Sequence, residues 1–233
     1  MRRKLACAAA AAALFVDGGG QRTFAATAEP AAAEYVIRWN ARDGGPASLN
    51  EVLGIMKSRA TRDRTFKVDY YDLPPNIAAP PGYSVILRRR TEGGAAGEFT
   101  WKLRGDTALA DWTCPLRNAK ESKAEADVTI QGPDTLARSF SYSCTSDDPE
   151  AAAAELSATL RACTATVTRK VAGPLKLEEW RFPGDIVIID VSLISSNNSV
   201  GLEFFRVRIA NPLFAAGIVP LSESKTDLGS RCK

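Results

Sequence analysis

Arg88 and Arg90 stand two residues apart in the stretch 82–90, and Lys102 and Arg104 stand two apart in 99–104, with the Gly-rich run 93–97 between them. Residues two apart in a strand share a face, so a hairpin joining these stretches gathers four cations on one surface, opposite Phe99, Trp101 and Leu103. Unit charges about 6 Å apart repel by roughly 3 kcal/mol at an effective dielectric near 20, so such a cluster calls for acidic neighbours or a bound polyanion. The plain alternative is a solvated hairpin face with ordinary surface charge. Carboxylates do occur at matching spacing. Alternation puts Glu34 and Arg38 on one face of 34–40, opposite Tyr35, Ile37 and Trp39, and puts Lys123, Glu125 and Asp127 on one face of 121–130. Anionic groups could then sit among Arg88, Arg90, Lys102 and Lys123, while Glu34, Glu125 and Asp127 hold a hard divalent cation; Mg²⁺ commonly binds one or two carboxylates together with substrate phosphates.

Other chemistries are narrowed by composition. The chain has no histidine, which excludes His-based triads, His metal ligands and an imidazole general base. The Gly-rich run 93–97 reads as a hairpin loop before it reads as a phosphate cradle. Beyond Cys7, the cysteines are Cys114, Cys144, Cys163 and Cys232, with no zinc-motif spacing and three possible pairings. Cys144 and Cys163 flank an expected helix of about 15 residues, which holds its ends about 20 Å apart, so each is expected to pair elsewhere.

Residues 1–28 read as an export signal: Arg2, Arg3 and Lys4, an apolar run over 5–16 too short to span a bilayer, and Ala26-Thr27-Ala28 as a cleavage site. Removing it takes away four basic residues (Arg2, Arg3, Lys4, Arg22) and one acidic one (Asp17), leaving basic and acidic residues equal in number. A neutral mature chain argues against a general nucleic-acid binder, so any basic patch is local. Residues 29–233 form one expected exported domain, periplasmic or secreted, with no membrane span and with disulfides.

The positioning elements are mostly strands. Beyond those already named, alternation predicts strands over 64–72, 164–171, 175–182, 186–194 and 202–209. Ser48 and Glu51 form a capping box opening a short helix to about 57, and the Ala-rich stretch 149–162 predicts a longer helix after Asp147 and Asp148. In 164–171, Lys170 shares the polar face with Thr166 and Thr168, whereas motif matching favours Arg169; the alternation selects Lys170. Residues 131–144 are turn-rich and ambiguous. The repeated pattern of one apolar face and one face with charges of both signs fits a barrel with a charged lumen and covered outer faces.

At these residues the sequence resembles the CYTH, or triphosphate tunnel metalloenzyme, superfamily. Glu34-x-Val36-x-Arg38 stands where the family has E-x-E-x-K. Tyr71-Asp72-Leu73-Pro74 resembles Y-[FY]-D-T-P, Leu87-Arg88-Arg89-Arg90 resembles L-R-x-R, Thr100-Trp101-Lys102 resembles L-T-x-K, and Lys123-x-Glu125-x-Asp127 resembles R-x-E-x-E. Asp190 resembles a late Asp of the pattern. The resemblance implies an α+β, mainly antiparallel, eight-stranded tunnel with a few covering helices, which binds and hydrolyses triphosphate or polyphosphate compounds with Mg²⁺ or Mn²⁺. It implies phosphate contacts from Arg38, Arg88, Arg90, Lys102, Lys123 and a basic residue at 169–170, taken as Lys170. Glu34, Glu125 and Asp127 would be both the metal ligands and the catalytic carboxylates.

Two departures bear on the chemistry. Val36 removes a carboxylate from the first-strand motif and Arg38 replaces its Lys, which weakens a hard-cation site. The stretch 202–209 offers Glu203, Arg206 and Arg208 where an acidic pair is expected. Two further readings therefore stand beside the metal-dependent phosphohydrolase: an inactive relative that binds polyanions in the same tunnel, and an unrelated exported β-barrel binding protein.

Overall fold

A computed structural model of the chain describes residues 29–75 and 79–231; the expected signal over 1–28 lies outside the described residues. Nine strands close into one barrel: β1 (Ala32–Asn40), β2 (Arg62–Asp72), β3 (Tyr83–Thr91), β4 (Glu98–Gly105), β5 (Glu121–Ile130), β6 (Leu136–Ser146), β7 (Thr159–Ala172), β8 (Leu175–Phe182) and β9 (Ile186–Ser196). The order around the barrel is β1-β5-β6-β4-β3-β2-β7-β8-β9. All neighbours run antiparallel except β1 and β5, which pair in parallel and set Glu34 beside Asp127. The expectation of eight antiparallel strands is thus corrected to nine with one parallel contact. The additional strand, β6, comes from the stretch left ambiguous: in Ser139-Phe140-Ser141-Tyr142-Ser143-Cys144-Thr145, Phe140, Tyr142 and Cys144 are buried on the outer side.

The barrel is inverted for much of its circumference. Tyr35, Ile37 and Trp39 of β1, Leu177 of β8, and Ile189 and Val191 of β9 face outward. They are covered by α1 (Leu49–Ile55) and by α3 (Ser199–Phe205), which continues through a π-helical turn (Arg206–Ala210) into α4 (Asn211–Ala215). Phe99, Trp101 and Leu103 of β4 are covered by α2 (Pro149–Glu155) and by a loop whose Trp112 stacks on Trp101 at 6.1 Å between centroids. Burying the outer faces leaves the opposite faces, with their charges, to line the interior. A smaller apolar cluster, including Phe66, Val68, Tyr70, Val167 and Trp180, closes part of that interior.

Local signals explain the caps. Ser48 Oγ accepts from the Glu51 N–H at 3.3 Å while Glu51 reaches back to the Ala47 N–H at 2.9 Å, the reciprocal arrangement of a capping box. The helix expected over 149–162 stops at Glu155: Ser157 adopts φ +50°, and the chain enters β7, where Leu160 pairs with Tyr71 and Thr159 with Asp72. The strand expected over 202–209 is helical. Asn198 caps it by accepting from the Gly201 N–H at 2.9 Å, and Phe205, Ile209 and Leu213 recur at helical spacing along its buried side. A closed barrel offers no free edge for another strand.

Cys114 and Cys144 form a disulfide with Cα atoms 6.0 Å apart, tying the Trp112 loop to β6. Cys144 therefore pairs away from Cys163, as its position predicts, and Cys163 is also disulfide-bonded. No helix among the described residues is long and apolar enough to cross a membrane.

Candidate functional site: a charged tunnel

The inward faces of β1, β3, β4, β5, β7, β8 and β9 line three cavities that share residues and so run into one another. A chamber of about 270 Å³ is lined by Arg88, Arg90, Lys102, Lys123, Glu125 and Arg169, with Ser143 and Thr145 of β6. It meets a waist of about 70 Å³ through Glu34, Arg88, Arg90, Lys102, Arg169 and Lys176. Beyond Val36 and Arg38 the waist opens into a chamber of about 470 Å³ that includes Tyr83, Arg104, Asp127, Ser139 and Ser224. Small hydroxyl side chains along β6 leave space where a larger residue would fill the lumen.

The structure brings Glu34, Arg38, Arg88, Arg90, Lys102, Lys123, Glu125 and Asp127 to this lumen, as alternation predicts. Lys123 sits toward the outside, half exposed, with Glu121 at 3.1 Å. Arg104 also belongs to the interior: its Nη2 lies 2.8 Å from Asp127 Oδ2. Lys170 is a correction. It points away from the cavities and pairs with Asp63 at 2.5 Å, while Arg169 faces inward and pairs with Glu178. The polar side of β7 in the lumen is interrupted by Cys163, Ala165 and Val167, so the Thr166–Thr168–Lys170 row that alternation favours is the outer face.

Four further residues complete the site. Lys176 and Glu178 come from β8, where Lys176-x-Glu178 alternates with buried Leu175 and Leu177; that signal was present in sequence. Lys225 enters from α5 (Lys225–Arg231), and no periodicity in the strands could have announced it. Asp190 faces inward, is fully buried, and accepts from Arg38 Nε at 3.2 Å.

Every deeply placed carboxylate is matched to a cation. Lys176 Nζ donates to Glu34 Oε1 at 2.6 Å. Glu178 accepts from Arg169 Nε at 2.7 Å, Trp180 Nε1 at 3.0 Å and Lys225 Nζ at 2.7 Å. Asp127 takes Arg104 and, at 3.5 Å, Lys102, with the Ser141 hydroxyl donating at 3.1 Å. Burial alone would raise these carboxyls. At Glu34 the Lys176, Lys225 and Lys102 charges outweigh burial, and at Glu178 Lys225, Lys176 and Arg169 do so; both are held well below the usual carboxylate range. Asp127 is lowered in the same way by Lys102 and Arg104. Glu125 differs: burial raises it, and the Glu34 and Asp127 charges add to the effect despite Lys102.

The cations are not matched in return. Eight Arg and Lys side chains line the waist against three carboxylates. The Nε atoms of Arg88 and Arg90 are buried and have no hydrogen-bond partner among the described residues. Arg90 and Arg169 both lie over the Phe66 ring, their guanidinium carbons 4.7 and 4.9 Å from its centroid. Burial, with Arg88 and Arg169 nearby, lowers Arg90 to about 10. Burial, with Arg104 and Arg88, lowers Lys102 to about 8 despite Asp127 and Glu34. The arrangement stores repulsion that an anion would relieve.

Glu34, Glu125 and Asp127 do not fit a divalent metal as they stand. Among the described residues, no three carboxylate or cysteine groups converge in a metal-holding arrangement. Lys176 engages Glu34 Oε1, and Arg104 and Lys102 engage Asp127 Oδ2, so a metal would compete with internal cations for these oxygens.

Fold and site together define a closed β-barrel with a cation-rich tunnel. No protein-family model matches the chain, and no curated protein matches it. Among solved structures, the PH1819 protein of Pyrococcus horikoshii OT3 is similar at 11% identity, covering 84% of this chain and 97% of its own, with a TM-score of 0.48. A conserved hypothetical protein of Pyrococcus furiosus is similar at 14% identity, covering 84% and 99%, with a TM-score of 0.46. A Vibrio parahaemolyticus protein, assigned only provisionally as an adenylate cyclase, is similar at 12% identity, covering 85% and 98%, with a TM-score of 0.49. At these values the likenesses bear on neither family nor activity.

Proposed function

We propose that the protein is an exported, divergent relative of the triphosphate tunnel superfamily that binds a small polyphosphorylated or otherwise polyanionic ligand, with Arg88, Arg90, Lys102 and Arg169 as the principal contacts. The observation that supports this most directly is the pair of buried Nε atoms on Arg88 and Arg90, which have no hydrogen-bond partner among the described residues. Buried polar groups are ordinarily satisfied, and guanidinium forks match phosphate oxygens. The chamber of about 270 Å³ beside them leaves room for phosphate groups. The Cys114–Cys144 disulfide suits an oxidising compartment. The hydrolytic reading with Mg²⁺ or Mn²⁺ has less support, because two of the three carboxylates it needs, Glu34 and Asp127, are engaged by internal cations.

Calorimetry and thermal shift with tripolyphosphate and pyrophosphate test the binding. Expected are saturable binding and a raised Tm, both lost in Arg88→Met and Arg90→Met. Absence of stabilisation by either anion in the folded protein overturns the reading. Phosphate release from tripolyphosphate or ATP, with Mg²⁺ or Mn²⁺ but not with chelator, would instead restore the enzyme.

A further inference from the structure

We propose that Lys225, carried into the barrel by the C-terminal segment, acts as a built-in cation at Glu178 and Asp190, so that this end of the tunnel takes no divalent metal. The proposal deepens the polyanion reading, on which its ligand consequence rests, but its own geometry stands apart from any ligand. Lys225 Nζ lies 2.7 Å from Glu178 Oε2 and 3.0 Å from Asp190 Oδ1, and 5.0 Å from the Trp180 ring centroid. The two carboxylates are 2% and 0% exposed. A pair of buried carboxylates facing one cavity needs positive charge beside it, which side-chain cations or a hard metal ion can supply. Arg169 pairs with Glu178 and Arg38 with Asp190, and the position between the two carboxylates is left for a further cation. Here an ammonium occupies that position.

The lysine is placed there by a seated segment, not by chance contact of a surface side chain. Leu221 N–H donates to the Arg38 carbonyl at 2.8 Å, and Pro220 bridges to Trp39. Ser224 and Asp227 cap each other, the Asp227 N–H donating to Ser224 Oγ at 3.1 Å and the Ser224 N–H to Asp227 Oδ2 at 3.0 Å. One turn further, Gly229 lies against Tyr70 so closely that a Cβ there would stand 2.2 Å from the ring. The segment thus closes one side of the waist and fixes where its final residues carry their charge.

An ammonium and a divalent ion cannot use the same lone pairs, so removing the ammonium should expose a cation site. Electron paramagnetic resonance of free Mn²⁺, titrated with the full-length protein, reads this directly. The wild type is expected to leave the free Mn²⁺ signal unchanged. Lys225→Gln and Lys225→Ala are expected to bind one Mn²⁺ at least tenfold more tightly than the wild type, and Asp190→Asn in either background is expected to abolish the gain. Mn²⁺ binding by the wild type that Glu178→Gln removes would overturn the proposal; this arm needs no Lys225 variant to fold. Folded Lys225 variants that gain no Mn²⁺ binding would overturn it too. With tripolyphosphate, wild-type binding in chelator supports the proposal. Binding only with Mg²⁺ overturns it while leaving the polyanion reading intact, and no binding in either condition overturns that reading alone, the Mn²⁺ titrations still deciding the role of Lys225.

Discussion

Lys176 Nζ lies 2.6 Å from Glu34 Oε1, so an ion pair links β8 to β1 across the intervening β9, where Ser192 pairs with both Lys176 and Val36. Glu34 is held ionised by this contact, and Lys176 is raised above the ordinary lysine value by Glu34 and Glu178 in spite of burial. Removing one member leaves the other charge poorly solvated. Lys176→Met is expected to cost about 2 kcal/mol, below the usual cost of breaking a fully buried pair because both side chains retain some exposure. Glu34→Gln added to Lys176→Met should recover part of the loss. Urea denaturation of the single and double variants measures the coupling.

Anion affinity should fall as pH rises through about 8, where Lys102 loses its proton. A bound anion favours the charged amine, so binding is strongest below that pH and weakens several-fold by about pH 9. In the free protein the sign is opposite. Between about 8 and the ordinary 10.5 the unfolded chain holds the Lys102 proton and the native chain does not, so this residue makes stability rise with pH across that window. Titrating with sulfate, whose charge is constant there, separates the protein's proton from the ligand's. Lys102→Gln should flatten the profile.

Arg169 and Lys170 are neighbours in sequence with opposite fates. Arg169→Met should weaken tripolyphosphate binding at least tenfold, whereas Lys170→Met should leave it within twofold, since Lys170 faces Asp63 outside the tunnel. Calorimetry at fixed ionic strength distinguishes them, because screening alone would affect both.

Acid should destabilise the barrel through Glu34 and Glu178. Their native pKa values lie well below the ordinary 4.5. They therefore contribute stability fully above that value, and it is lost as pH falls through the lowered native values. Chemical denaturation between pH 6 and 3 should show the decline, shallower in Glu34→Gln than in the wild type.

The Cys114–Cys144 bridge closes a span of 30 residues, for which loop-closure entropy gives about 3–4 kcal/mol. Cys114→Ser with Cys144→Ser should lower unfolding free energy by that order. The near-ultraviolet signal of Trp112, which stacks on Trp101 and lies tilted against Tyr142, should change with it.

Period-two alternation was sufficient to place Glu34, Arg38, Arg88, Arg90, Lys102 and Asp127 in one lumen, because outer faces as apolar as Tyr35-Ile37-Trp39 leave the other side no alternative. It failed at Lys170, where small apolar residues fill the inward positions of β7 and hydroxyls occupy the outward ones. It also failed over 202–209, whose β-branched and aromatic content reads as strand until the barrel has closed without it. β6 was legible in the Ser-aromatic alternation, but its turn-forming residues obscured it. Lys225 was not legible at all: its role depends on where the chain folds back, and its immediate neighbours are ordinary polar residues.

The parallel contact of β1 with β5 and the return of α5 to the barrel join parts of the chain that lie far apart in sequence. Arg38 meets Asp190 across 152 positions of sequence, and Glu178 meets Lys225 across 47. Such separations slow the search for native contacts. The charges of the first strand therefore find their partners, Lys176 for Glu34 and Asp190 for Arg38, only across most of the sequence. A chain shortened by even its final dozen residues would close a barrel in which Arg169 and Arg38 still face Glu178 and Asp190 but no Lys225 joins the two carboxylates.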